Sequence, residues 1–299
     1  MKQPTLEDRL EYVAALLFVR AVRWLPRSWL PGAVRFLGFV FFDLARYRRS
    51  VALANLSRHL SDVLPRRSYV SLGRESLTSF IGAITDLARL PLVTDRYIQE
   101  NIEFQGLEHL DGALAAGRGA VLVTGHFGSW ELMGCVIARL GYPINFVVGV
   151  QRNPLVLGLM NKIRTSCGIK VIGPGAILAA RRALRSNQFV AMLSDQDAGG
   201  RHGTAGVFVD FLGEPAFTPR GAAQFALLAS APVVPGFIVR TGRGKHRIVI
   251  EEPIFPPEAH DEEAVVHLTT AYTRVIETYV RRYPGHWLWT HRRWKTRPA

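Results

Sequence analysis

Cysteine is almost absent. Only Cys135 and Cys167 occur in 299 residues, and they form no C-x-x-C pair. That spacing supports neither a disulfide framework nor a thiolate metal site, and a reducing compartment fits it best. Lysine is nearly as scarce, with five residues against 32 arginines in a chain of formal charge +13. Arginine pairs bidentately with phosphate and carboxylate, so its excess points to phosphorylated or anionic partners. No run near the N-terminus approaches the roughly 20 apolar residues that cross a bilayer. The uninterrupted stretch there is only Tyr12 to Val19. Glu7, Asp8, Glu11 and several arginines break any secretory pattern, so export is not expected. Internal repeats and low-complexity linkers are also missing. With 48% hydrophobic residues the chain can bury a substantial core, and disorder is excluded.

What is present is organised around residues 119–131. Ala120 to Val123 is an unbroken apolar run of the kind buried on both faces of a sheet, and a glycine-rich turn follows it. The turn carries His126, and the helix expected from about Ser129 carries Glu131. Both therefore stand at the carboxyl end of a strand, where open α/β sheets bind ligands. Further strands are expected at 144–150, 169–172 and 189–193, with helices between them at 131–140, from Pro154, and at 176–186. A strand is expected at 206–213, a helix at 218–230, a hairpin of 233–240 and 247–251 turning at Gly242-Arg243-Gly244, and a long helix at 261–282. Strand and helix alternation implies a mainly parallel sheet flanked by helices, an α/β enzyme fold.

Before the sheet, residues 6–25 have helical apolar spacing at Leu10, Val13, Leu17 and Ala21, bracketed by arginines. Val34 to Phe42 is apolar and aromatic and ends in Arg46-Tyr47-Arg48-Arg49. Such a segment suits a monotopic anchor on an anionic membrane, with Trp24 and Trp29 at headgroup level. A helix pair covering the sheet has the same composition. Residues 1–50 thus form a candidate membrane-association segment, and 51–299 a single α/β domain. Residues 50–90 read as helical, with a start near Pro65 and a stop before Pro91, and 107–116 as a short helix.

An imidazole at a strand end, held by a carboxylate, is a general base of the kind that activates a hydroxyl for attack on an acyl carbonyl. His126 and Glu131 fit those roles by position. Ser129 lacks the G-x-S-x-G elbow of a nucleophile and suits a helix N-cap. Asp195 and Asp197, one residue apart, would serve a metal-dependent esterase, but no ligand cluster stands nearby in sequence. A buried acceptor for loop amides is the alternative for Asp195. The tail from Trp287 to Pro298 interleaves aromatics with cations, yet no nucleic-acid-binding signature accompanies it. Phosphate-bearing lipid headgroups explain both that tail and the apolar N-terminus.

The block Thr124-Gly125-His126-Phe127-Gly128-Ser129-Trp130-Glu131 resembles the HX4(D/E) motif of the late acyltransferases of lipid A biosynthesis. In the same order follow Arg152-Asn153-Pro154, the segment Asn161 to Gly168 with Arg164, Asp195-Gln196-Asp197, and Phe211-Leu212-Gly213. The ending His286 to Pro298 is similar to the family's aromatic-HRR-aromatic-KTRP tail. The resemblance covers nearly the whole chain and is weakest before about Asn55. It implies a glycerolphosphate-acyltransferase-like fold and an enzyme on the cytoplasmic face of the inner membrane. Such an enzyme moves a fatty acyl chain from acyl carrier protein to a hydroxyl of a phosphorylated lipid A precursor, with no cofactor, no metal and no covalent acyl-enzyme. The resemblance assigns His126 as base, Glu131 as its partner, and Arg164, with Arg152 as second choice, to the oxyanion, which backbone amides near Gly128 would also meet. Arg152, Asn153, Asp195, Gln196, Asp197, Arg292, Arg293 and Lys295 become candidates for substrate binding. The related mycobacterial phosphatidylinositol mannoside acyltransferases share the block, usually with aspartate in the acidic place, and use acyl-CoA. That activity, a lysophospholipid acyltransferase and a non-catalytic lipid-binding protein are the alternatives.

Overall fold

A computed structural model describes residues 4–149, 151–199, 205–242 and 244–298. The chain opens with α1 (Leu6–Trp24). The Thr5 hydroxyl accepts from the Asp8 amide and the Asp8 carboxylate accepts from the Thr5 amide, a capping box that satisfies two of the free donors at the helix start. α2 (Leu30–Phe39) runs into a π-helical turn at Val40–Leu44, and α3 (Arg49–His59), α4 (Tyr69–Arg89) and α5 (Asp95–Asn101) follow. The alternating part contains β1 (Ile102–Gln105), α6 (Leu107–Ala115), β2 (Ala120–Thr124), α7 (Trp130–Arg139), β3 (Ile144–Val147), α8 (Pro154–Thr165), β4 (Lys170–Ile172), α9 (Ile177–Arg185) and β5 (Phe189–Leu193). β6 (Gly206–Phe211), β7 (Glu214–Pro219), α10 (Gly221–Ala229), β8 (Val233–Arg240), β9 (His246–Ile250) and α11 (Glu262–Arg282) complete the set.

Seven strands form one sheet in the order β1-β9-β8-β2-β5-β3-β4. Every neighbouring pair is parallel except the β8–β9 hairpin, while β6 and β7 pair antiparallel in a separate ribbon. The expected α/β architecture is therefore present. Two strands escape the apolar pattern. β1 lies in a polar stretch, and β7 takes Thr218, which the sequence assigns to the next helix. The end of the strand expected to reach Val150, the end of the loop at Gly200, and the hairpin residue Arg243 lie outside the described residues.

Successive residues of a strand face opposite sides of a sheet, and the core divides accordingly. Val121 and Val123 of β2 pack with α9, α10, α11 and the C-terminal tail, whereas Ala120 and Leu122 pack with α7, α8 and the end of α4. The tail forms part of the first layer. Trp287 and Trp289 are fully buried, Trp294 nearly so, and Trp294 stacks on His59 with ring centroids 3.6 Å apart. Asn55 on α3 donates to the carbonyls of Trp289 and His291, both at 2.9 Å. The aromatic part of the tail is thus core rather than a surface patch.

The first two helices are packed onto the rest by one side. Val19 and Val22 join Leu87 and Ala88 of α4 in the core, and the Arg89 guanidinium donates to the carbonyls that end α1, among them Leu25 at 3.0 Å. The other side is apolar and open. Leu6, Leu10, Val13 and Leu17 form one exposed stripe, continued by Trp24, Trp29, Phe36 and Phe39. Among the described residues no helix is long and apolar enough to cross a membrane.

Candidate active site

β2 and β5 are parallel neighbours with Thr124 opposite Leu193. His126 and Asp195 each stand two residues beyond that last pair, so the sheet register alone brings them together at the carboxyl edge. The His126 ring Nδ1 lies 2.9 Å from Asp195 Oδ1. Asp195 Oδ2 accepts from the His126 backbone amide and from the Trp287 indole, each at 2.8 Å. Gly125 leaves room for this contact, since a Cβ there would sit 3.0 Å from the Asp195 carboxyl carbon. Gly128, at φ +55°, brings the turn against β8, where a Cβ would strike the Ile238 carbonyl oxygen. The Gly128 amide donates to the His286 carbonyl at 2.9 Å, and Phe127 bridges to Trp287. The tail is thereby strapped to the turn.

Burial by itself raises the pKa of Asp195. The neighbouring His126 charge and the hydrogen bonds from the His126 ring, the His126 amide and Trp287 outweigh it and hold the carboxyl down at about 2. An ionised Asp195 fixes the tautomer, because Nδ1–H must donate to it and the lone pair is then on Nε2. The His126 side chain keeps about 20% of its surface, and Trp130 packs edge-on with centroids 5.0 Å apart. The arrangement is an imidazole held by a carboxylate and partly open to solvent, a geometry suited to proton transfer.

The carboxylate holding His126 is Asp195, not Glu131 as the motif spacing implies. Glu131 is buried in the first turn of α7, where its two oxygens accept from Arg164 Nε at 3.0 Å and Nη2 at 2.5 Å. Arg164 Nη1 donates to Asn161 Oδ1 at 2.9 Å. Each nitrogen of Arg164 thus has a partner inside the protein, and the side chain clamps α7 to α8 instead of facing an oxyanion. Five positions separate His126 from Glu131, which is no repeat on a helix face, and entry into α7 turns the glutamate away from the ring. The amides of His126, Phe127 and Gly128 are also engaged, by Asp195, Gly125 and His286 respectively. Ser129 occupies the N-cap position of α7, but its hydroxyl donates to Asp86 Oδ2 at 2.7 Å and makes no cap bond.

The remaining candidates divide in two. Arg152 pairs with Glu7 and Glu11 of α1, and Asn153 caps α8 while donating to the Asp8 carbonyl and Glu11. They dock α1 on α8. Arg293 is fully buried under Phe211, donates to Phe217 O and Thr218 Oγ1, and has its pKa lowered to about 10 by burial. It cannot reach a lipid surface. Asp197 sits on the loop after β5 with Thr296 and the Gly199 amide, Gln196 beside it is half-buried, and Arg292 and Lys295 are exposed. Both aspartates are occupied by N–H and O–H donors, and among the described residues no group of three or more His, Cys, Asp or Glu side chains is placed to hold a metal. Two contributors had no role in the sequence reading. Trp287 was visible only as part of an aromatic run, and its carboxylate partner lies 92 positions earlier. His291 accepts from the Asp197 amide through Nε2 at 3.2 Å, and burial lowers its pKa to about 4.

The family profile described as bacterial lipid A biosynthesis acyltransferase matches residues 4–296. A phosphatidylinositol mannoside acyltransferase from Mycolicibacterium smegmatis is 27% identical over 286 residues, covering 92% of this chain and 88% of its own. One from Mycobacterium tuberculosis is 31% identical over 178 residues, covering 56% of this chain and 54% of that relative, so the chain spans about half its length. A lipid A biosynthesis lauroyltransferase from Escherichia coli is 30% identical, with coverages of 68% and 65%. The crystal structure of a 1-acyl-sn-glycerophosphate acyltransferase, PlsC, from Thermotoga maritima covers 91% of this chain and 99% of its own at 15% identity, with a TM-score of 0.37, too low to add to the topology described above.

Breaking one half of a buried ion pair strands a charge. Glu131→Leu and Arg164→Met should each destabilise by about 3–5 kcal/mol in urea unfolding, while the double variant should recover most of that loss. Single losses below about 1 kcal/mol would contradict the clamp. The second expectation concerns acid. The folded pKa of Asp195, at about 2, lies below its ordinary 3.8, so its contribution is complete above pH 4 and disappears as pH falls through 2. Wild-type protein should therefore exceed Asp195→Asn by on the order of 2 kcal/mol at pH 5, and the gap should close toward pH 2 in denaturant titrations. A gap independent of pH would contradict an ionised Asp195.

Proposed function

This chain belongs to the bacterial lipid A biosynthesis acyltransferase family, and we propose that it moves a fatty acyl chain from a thioester donor to a glycolipid hydroxyl, with His126 as general base and Asp195 as the group that holds it. The observation that carries this reading is the His126 Nδ1–Asp195 Oδ1 contact, which leaves Nε2 free at the sheet edge. The acceptor hydroxyl gives its proton to Nε2, and its oxygen attacks the thioester carbonyl. Asp195 stabilises the imidazolium so formed. Collapse of the tetrahedral intermediate breaks the C–S bond, and the departing thiolate takes the proton back from Nε2. No covalent acyl-enzyme is involved.

The oxyanion needs donors that are otherwise unoccupied. Among the described residues the amides of Ser129 and Trp130 have no partner. They open α7, where the helix macrodipole favours negative charge, so they take the place first given to Arg164. Arg164 and Glu131 then act by fixing the position of α7. Family membership favours a lipid A precursor as acceptor and acyl carrier protein as donor. The near full-length match to the M. smegmatis relative supports a second reading, in which a phosphatidylinositol mannoside is the acceptor.

The exposed stripe on α1 and α2 supports attachment to an anionic membrane, on the cytoplasmic side of the inner membrane where thioester donors are made. Trp24 is 93% exposed and Trp29 67%. An exposed apolar patch marks an interaction surface, and tryptophans flanked by arginines suit a lipid interface.

Transfer is tested with purified protein, both donors and both acceptors, reading products by mass spectrometry. His126→Ala should lower turnover by about 10²- to 10⁴-fold, and Asp195→Asn by at least about 10². Wild-type rates in His126→Ala would overturn the assignment. For the membrane face, the triple variant Trp24→Ser, Trp29→Ser, Phe36→Ser should lose about 10-fold or more in co-sedimentation with anionic vesicles. Unchanged sedimentation would exclude that face.

A further inference from the structure

A small cleft opens on the loop that leaves β5, one turn of chain beyond the dyad. It encloses about 190 Å³ and is lined by Arg48, Asp197, His291, Arg292 and Lys295. The elements that build it come from distant parts of the sequence. Arg48 stands at the start of α3, where its guanidinium reaches the Thr290 carbonyl at 3.4 Å, and the other two cations come from the C-terminal tail.

Its charge is unbalanced. Among the described residues Asp197 is the one carboxylate in the lining; it accepts from the Gly199 amide, the Thr296 amide and the Thr296 hydroxyl, each at 3.0 Å, and its side chain is about 2% exposed. Lys295 donates to the Gly199 carbonyl at 3.0 Å and forms a long ion pair with Asp197 at 3.9 Å. The Arg292 side chain makes no hydrogen bond or ion pair among the described residues. His291 adds no charge, because its Nε2 accepts from the Asp197 amide and its proton is therefore on Nδ1. Among the described residues three cations thus face a single buried carboxylate, leaving a net positive lining, and a concave cluster of that kind is complementary to a phosphate group.

The cleft is also close to the chemistry. Asp197 lies two residues past Asp195, and its amide donates to His291 in the cleft wall at 3.2 Å. On the basis of the acyl-transfer reading above, we propose that this cleft binds a phosphate group of a transfer substrate and so orients that substrate at His126, with Arg48, Arg292 and Lys295 as its ligands. Phosphate chemistry is shared by two sources, a sugar phosphate on the acceptor and the phosphates of the donor's pantetheine arm.

The test compares wild-type protein with Arg48→Gln and with the double variant Arg292→Gln, Lys295→Gln. Transfer is measured with a phosphorylated glycolipid acceptor and its dephosphorylated counterpart, and with acyl-CoA and an acyl-N-acetylcysteamine thioester, which has no phosphate. KM for the phosphorylated substrate should rise about 10-fold per cation removed, with kcat little changed. KM for the phosphate-free substrate should stay constant. A rise confined to the acceptor arm identifies the acceptor as the source, and one confined to the donor arm identifies the donor. Arg96→Gln, exposed and paired with Glu100, controls for lost net charge. No rise in either arm, or an equal rise for phosphate-free substrates, overturns the cleft. Calorimetry with inorganic phosphate needs no turnover: wild-type protein should bind it at least about 10-fold more tightly than the double variant. Phosphate binding of that kind without any acyl transfer would reject the enzymatic reading and keep the cleft, whereas transfer with none of these differences would reject the cleft alone.

Discussion

A single buried carboxylate, that of Asp195, sets the terms for much of this molecule. An ionised group out of water is tolerated only when donors replace its hydration, and here they come from three directions. The His126 ring, the His126 amide and the Trp287 indole each supply one hydrogen bond. The first two require β2 and β5 to be adjacent and in their observed register. The third requires the tail to return across the sheet. Gly125 is needed so that the carboxylate fits against the turn. The geometry of the candidate site and the closure of the fold therefore depend on the same few atoms.

Around this centre the charges are sorted by depth. Arg164 and Glu131 neutralise each other inside the α7–α8 packing, and Arg293 is held under Phe211 by a carbonyl and a hydroxyl. Arg89 closes the carbonyl end of α1. A good part of the arginine excess is thus structural, since guanidinium is more weakly hydrated than ammonium and carries donors enough to satisfy several carbonyls at once. What reaches the surface near the site is a smaller set, concentrated in the cleft beside Asp197.

Most of the layout was legible in the residue pattern. β5 and β8 were expected within the bounds observed, and α11 begins one residue after its expected start at Asp261, because apolar runs, helix periodicity and end charges are local signals. β1 and β7 were not legible, for their strand character comes from pairing with β9 and β6 and not from their own composition. His126 was identified from its strand-end position, and the suggestion that Asp195 is a buried acceptor for a loop amide matches its bond from the His126 backbone. The partner of the imidazole was assigned to the nearer acid, Glu131, and the tail was read as a surface when its tryptophans are core.

By itself the sequence determined the class of fold, the strand that delivers the histidine and the family to which the chain belongs. Each of these rests on interactions between residues close in the chain or on an ordered set of short motifs. Only the tertiary structure decided which carboxylate holds His126, which arginines remain available, and which face of the N-terminal helices is open. Those outcomes depend on strand register and on packing between segments dozens to hundreds of residues apart. Two acids can have the same chemistry and one can lie far nearer in sequence to the histidine, yet the one that meets the imidazole is chosen by the neighbouring strand.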